Sequence, residues 1–126
     1  MLVAMIERID HLVLTVRDID RAVAFYKRVL RLGVDEFGAG RKAMTFGNQK
    51  INLQTLGQET RNHAGIGSGD VCFVTRWTVE DVLAHLGQES VEVVEGPVIK
   101  TGALGPITSI YFNDPDGNLI EIARYD

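Results

Sequence analysis

The sequence predicts an α+β domain in which one unit, a strand followed by a helix and three more strands, is used twice. Two observations carry that prediction. IDHLVLTV is rich in β-branched residues and leucine and leads into the helix-periodic stretch AVAFYKRVL; later DVCFVT leads in the same way into TVEDVLAHL. Short apolar runs separated by glycine-bearing turns fill the rest of each half.

Taken in order, Ile9 to Val16 alternates His11, Val13 and Thr15 on one face with Leu12, Leu14 and Val16 on the other. Asp18 or Asp20 can cap the helix that follows, in which Val23, Tyr26 and Leu30 recur at helical spacing and Gly33 serves as a stop. Strands are expected at Gly33 to Phe37, Lys42 to Phe46 and Lys50 to Leu56. In the second half Asp70 to Thr75 is a strand, and Thr78 and Asp81 make a capping-box-like start. Val79, Val82, Leu83 and Leu86 then form an apolar stripe ending before Gly87. SVEVVEGP, ITSIYF and NLIEIARY supply three more strands, with Val98 to Pro106 read as a long loop. The 126 residues are therefore expected to form a single domain, 1–126, of modules 5–61 and 70–126 joined by the linker 62–69.

Composition narrows the function classes. Hydrophobic residues make up 45% and the net charge is −4, which suits a globular protein and supplies no basic cluster for nucleic acid. The N-terminal apolar run ends at Ile6, too short for a signal peptide, and nothing approaches the ~20 apolar residues of a membrane span. Met5 can serve as an alternative start, with the first four residues a loose extension. Cys72 is the single cysteine, which excludes an internal disulfide and suits a cytoplasmic location.

Glu121 poses the main chemical question. It interrupts the apolar run Leu119, Ile120, Ile122, Ala123, and an unpaired buried carboxylate costs several kcal/mol. Its partner can be Arg41, Arg61 or Lys100, a proton, solvent or a metal. Matching His11 with Asp70 gives an offset of 59 and matching Gln54 with Glu121 gives 67, so the second half holds about eight extra residues, assigned to the Val98 to Pro106 loop and the DPDG turn.

The segments IDHLVLTVRDIDRAVAFYKRVLRLGV and SIYFNDPDGNLIEIARY, with FGNQKINLQ and VVEGPVIKTGALGPI between them, resemble the vicinal oxygen chelate superfamily of glyoxalases, bleomycin-resistance proteins and extradiol dioxygenases, most closely its small glyoxalase-domain and virulence-associated members. The resemblance spans residues 5–126. It implies two paired βαβββ modules forming curled mixed sheets with helices outside, and metal ligands that fall on His11, Gln54, Asp70 and Glu121. Glu121 is also the candidate catalytic group, as a carboxylate that detaches to act as base. A second histidine of the extradiol type is missing, so the set of one imidazole, one amide and two carboxylates favours manganese, nickel, zinc or magnesium over iron.

Ser109 and Tyr111 share a strand face and, with Lys100 and Thr101, are candidates for contacting substrate. His63 and His85 read as surface residues, Trp77 as packing at the end of the second helix, and Cys72 as a pocket-lining residue without a base to activate it. Two functions follow. One is a metal-dependent lyase or isomerase, with a dioxygenase as the weaker variant, acting on a small substrate with vicinal oxygens. The other is a metal-free protein that sequesters a small molecule. Either is expected as a homodimer, with no nucleic-acid or membrane partner.

Overall fold

The structure is a computed structural model that describes residues 4–126; residues 1–3, expected as part of a loose extension, lie outside the described residues. The N-terminal module is β1 (His11–Thr15), α1 (Ile19–Val29), β2 (Gly33–Phe37), β3 (Arg41–Phe46) and β4 (Gln49–Gln54). The C-terminal module is β5 (Asp70–Val74), α2 (Val79–Gln88), β6 (Glu95–Gly102), β7 (Gly105–Asn113) and β8 (Leu119–Tyr125). The N-terminal sheet has the order β1-β4-β3-β2 and the C-terminal sheet β5-β8-β7-β6. In each, the first strand runs parallel to the fourth and the remaining pairs are antiparallel. The expected duplication is present in full. No helix among the described residues is long and apolar enough to cross a membrane.

Local chemistry explains most element ends. Asp18 caps α1 by accepting from the Arg21 N–H at 3.1 Å, and Thr78 caps α2 by accepting from the Asp81 N–H at the same distance. The expected stop at Gly33 does not hold, and α2 runs past the end of the apolar stripe. Gly87 lies inside α2 and Gly33 opens β2, where any Cβ would collide with the Thr45 hydroxyl. The left-handed residues that follow the helices are Arg31 (φ 56) and Ser90 (φ 59), at matching places in the two modules. Two further expectations also fail. Residues 90–94 of SVEVVEGP are not strand, and Val98 to Pro106 is a hairpin, β6 turning into β7 at Ala103 and Leu104. Cross-strand pairing, rather than the local glycines, decides that stretch.

One core serves both modules. Ala22, Tyr26 and Val29 of α1 and Val82 and Leu86 of α2 cluster with Met44, Ile51 and Leu53 of one sheet and Ile110, Phe112, Ile120 and Ile122 of the other. Burying each large apolar side chain there contributes roughly 1.5–3 kcal/mol. The helices also touch directly. His85, expected at the surface, is half-buried and places Nε2 2.7 Å from the Val29 carbonyl, while Arg28 reaches the Glu89 carboxylate at 2.8 Å. Trp77 precedes α2, stacks edge-on against His85 and lies under the Arg31 guanidinium.

The DPDG turn ties this core together. Asp114 is buried, yet it accepts from the backbone N–H groups of Asp116 and Asn118, from the Asn118 amide and from the Tyr26 hydroxyl at 2.6 Å. Four donors satisfy the carboxylate and join β8's approach to α1 of the other module. Burial and the adjacent Asp114 charge push the Tyr26 phenol far above its ordinary range. Because the helix-covered faces of both sheets meet in this one core, each sheet turns its opposite face outward.

Candidate active site

The outward face of the C-terminal sheet carries the acidic chemistry. Glu121 on β8 is half-buried, faces Cys72 of β5 on one side and Tyr111 of β7 on the other, and accepts a 2.6 Å hydrogen bond from the Ser109 hydroxyl. None of Arg41, Arg61 or Lys100 pairs with it. Arg61 binds Glu59, and Lys100 binds Glu95 at 3.2 Å. Burial and then the Glu121 charge push the Cys72 thiol up to about 11, and burial and then hydrogen bonding to the Glu121 carboxylate push the Tyr111 phenol up to about 12. Cys72 is thus a protonated wall residue. Asp70 is exposed at the start of β5.

Lys100 reaches the same face, with its ammonium 5.7 Å from the Tyr111 ring centre. Thr101, one residue on and opposite Pro106, falls on the other face of β6. Ser109, Tyr111 and Lys100 are therefore brought to Glu121, and Thr101 is not.

The outward face of the N-terminal sheet holds His11, Val13 and Thr15 on β1 beside Lys50, Asn52 and Gln54 on β4. His11 is exposed, and its Nδ1 lies 2.8 Å from the Asp10 carboxylate. A carboxylate only accepts, so Nδ1 carries the hydrogen and Nε2 keeps its lone pair outward, the arrangement of a ligating imidazole. His11 in return holds the Asp10 carboxyl below its ordinary value.

Register changes the counterpart of Glu121. Cys72 pairs with Glu121 in the second module, and Val13, which occupies the place of Cys72 in the first, pairs with Asn52. Asn52, two residues before Gln54, is the structural equivalent of Glu121, with an offset of 69 rather than 67. Gln54 is instead opposite Thr15 and is occupied by it, donating from Nε2 to Thr15 Oγ1 at 2.9 Å. Asn52 is 5% exposed and its Oδ1 has no hydrogen-bond partner, alone among the buried side-chain polar atoms of the described residues. A sealed, unpaired amide oxygen costs about 1–3 kcal/mol unless a water or a ligand meets it. Asn52 and Asp10 escaped notice in the sequence, although Asn52 alternates with Gln54 on one strand face.

The four candidate positions do not converge within one chain. Among the described residues no group of three His, Cys, Asp or Glu side chains gathers around a point.

Comparison with known proteins fits this architecture. The profile of the Glyoxalase/Bleomycin resistance protein/Dioxygenase superfamily matches residues 8–122. The chain belongs to this superfamily. Among superfamily relatives, a virulence protein of Salmonella typhimurium, STM3117, is 50% identical over 123 residues, covering 95% of this chain and 85% of that protein. A glyoxalase domain-containing protein of Mycosarcoma maydis, RDO1, is 49% identical over 95% of this chain and 69% of its own length. The crystal structure of STM3117 superposes with a TM-score of 0.91 at 48% identity, covering 98% of this chain and 100% of that one. A lactoylglutathione lyase from Agrobacterium tumefaciens, 22% identical with a TM-score of 0.74 over 96% of each chain, shares the glyoxalase fold.

Proposed function

We propose that this chain is a metal-dependent lyase or isomerase for a small substrate with vicinal oxygens, working as a homodimer in which the N-terminal sheet of one copy faces the C-terminal sheet of the other. The observation that carries this reading is the pairing of half-sets: His11 and Asn52 on one outward face, Asp70 and Glu121 at the equivalent places on the other. Asn52 replaces Gln54 in the set because it pairs across its sheet at the place equivalent to Glu121 and its buried oxygen is unpaired. One imidazole nitrogen, one amide oxygen and two carboxylates suit manganese, magnesium, nickel or zinc, and the two acids balance a dication.

A bound cation would supply Lewis acidity toward two adjacent substrate oxygens and stabilise the charge that develops on them. The chain's own residues do the rest. Asp10 orients the His11 ring, and Ser109 fixes one oxygen of Glu121. Tyr111 and Cys72 stay protonated beside it, so Glu121 is the proton acceptor of that wall.

The test uses protein purified without a nickel column and stripped of metal. Manganese, nickel, zinc and magnesium are added in turn and the melting temperature recorded, since a ligand of the folded state raises it by mass action. The parent is expected to respond, and His11→Ala and Glu121→Ala are expected not to. Mixing the two variants should then restore part of the metal-dependent shift, because one site of the mixed dimer regains His11 from one chain and Glu121 from the other. A parent melt that no metal moves would replace this reading with a metal-free sequestering protein, and no recovery on mixing would refute the shared site.

A further inference from the structure

The outward face of the N-terminal sheet holds a feature that metal binding leaves unused. Lys50 and Arg41 both lie against the ring of Phe37, the Lys50 ammonium 4.0 Å and the Arg41 guanidinium 5.0 Å from its centre. All three belong to the face of His11 and Asn52. Lys50 stands opposite His11, Ala43 opposite Asn52, and Phe37 opposite Arg41, which alternates with Ala43 onto the same side.

Five of the other eleven cations sit in ion pairs. Arg8, Arg28, Lys42, Arg61 and Lys100 each have a carboxylate within 3.2 Å. Lys50 and Arg41 form no such pair among the described residues; Asp35, on the same face at β2, binds neither, and the Asp10 carboxylate feels the Lys50 charge without touching it. An aromatic face attracts a cation, but two like charges gathered at one ring repel each other until an anion arrives. A guanidinium and an ammonium that share one aromatic ring suit an oxyanion, either a planar carboxylate or a phosphate.

We propose that Lys50 and Arg41 hold an anionic group of the substrate, a carboxylate or a phosphate, at the Phe37 end of the cup. This rests on the site reading above and narrows its substrate to a small acid that also carries two adjacent oxygens. The opposite wall, with Asp70 and Glu121, repels that acid group, so the two walls together impose one orientation: oxygens toward His11 and Asn52, anion toward Arg41.

The test is calorimetric titration of the metal-free protein at low salt with 2-phosphoglycolate, glycolate, inorganic phosphate and, as the neutral diol, ethylene glycol. The acids are expected to bind, to weaken as salt is raised, and to outcompete ethylene glycol. The glycolate and phosphate arms tell which oxyanion is preferred. Lys50→Gln with Arg41→Gln should weaken acid binding by roughly tenfold or more while the metal-induced melting shift stays as in the parent. Should that pair fail to fold, Lys50→Arg with Arg41→Lys keeps both charges and should bind as the parent does, and the salt dependence of the parent needs no variant. Binding of the acids no tighter than ethylene glycol, absence of acid binding, or unchanged affinity in the double glutamine variant would each overturn the proposal. Failure of the metal reading shows up separately, as a parent whose melt ignores metal yet still binds the acids.

Discussion

The outward faces of the two sheets share a topology and differ in charge. At matched positions the N-terminal face has His11, Val13, Asn52 and Ala43 where the C-terminal face has Asp70, Cys72, Glu121 and Tyr111. The first adds Lys50 and Arg41 around Phe37; the second adds the Ser109 hydroxyl around Glu121. The helix-facing sides show no such split, for both are apolar and enter the same core. Duplication supplied equivalent scaffolds, the buried sides kept one chemistry because packing demands it, and the outward sides carry different charges.

The largest expected effects test the shared side. Met44 and Phe112 are counterparts in register, both fully buried. Phe112→Ala should cost about 4 kcal/mol and Met44→Ala about 3 kcal/mol in urea unfolding, from lost burial plus cavity. If one is tolerated, the two modules do not contribute equally to the core. Tyr26→Phe removes one of four donors to Asp114 and should cost about 1–2 kcal/mol in the same assay.

The outward side should answer differently. Asn52→Leu removes the unpaired oxygen and is expected to stabilise the metal-free protein by about 1 kcal/mol while abolishing the metal-induced rise in melting temperature. Glu121→Ala, at the counterpart position, should lose the metal response without that gain, because its removal strands the Ser109 hydroxyl. A gain in both or in neither would erase the contrast.

Smaller still are the titrations beside Glu121, read on metal-stripped protein. The Cys72 thiol, pushed up to about 11, should be alkylated about 100-fold more slowly at pH 8 than an ordinary thiol of pKa 9.0, and Glu121→Gln should speed it. Tyr111, pushed up to about 12 from 10.0, should resist forming tyrosinate absorbance until that pH. Its sign for stability follows: both states are protonated below pH 10, the unfolded chain ionises first above it, and stability falls between pH 10 and 12. Glu121→Gln should move the tyrosinate midpoint down.

Much of this was legible from residue order. The strand alternation that puts His11 and Thr15 on one face, the caps Asp18 and Thr78, and the repeat itself follow from local periodicity and capping chemistry. Glu121 was conspicuous because a carboxylate in an apolar strand needs a partner. Its structural counterpart was misplaced by two residues, since counting along a chain with unequal loops cannot tell Asn52 from Gln54 when both occupy the same strand face. The pairing of β1 with β4 settles it. Likewise His85 looked like a surface residue on its own helix and is half-buried only because α1 docks against α2.

The sequence by itself determined the repeated unit, the chemistry available on each strand face and the family to which it belongs, because alternation, capping and turn preferences act over a few residues. Tertiary structure decided the register that makes Asn52 the partner position of Glu121, the shared core that turns the two outward faces apart, and the gathering of Lys50 and Arg41 on Phe37. Those relations join residues far apart in the chain, and they are set by cross-strand hydrogen bonding and by the burial of two helices in one core, which no local pattern encodes.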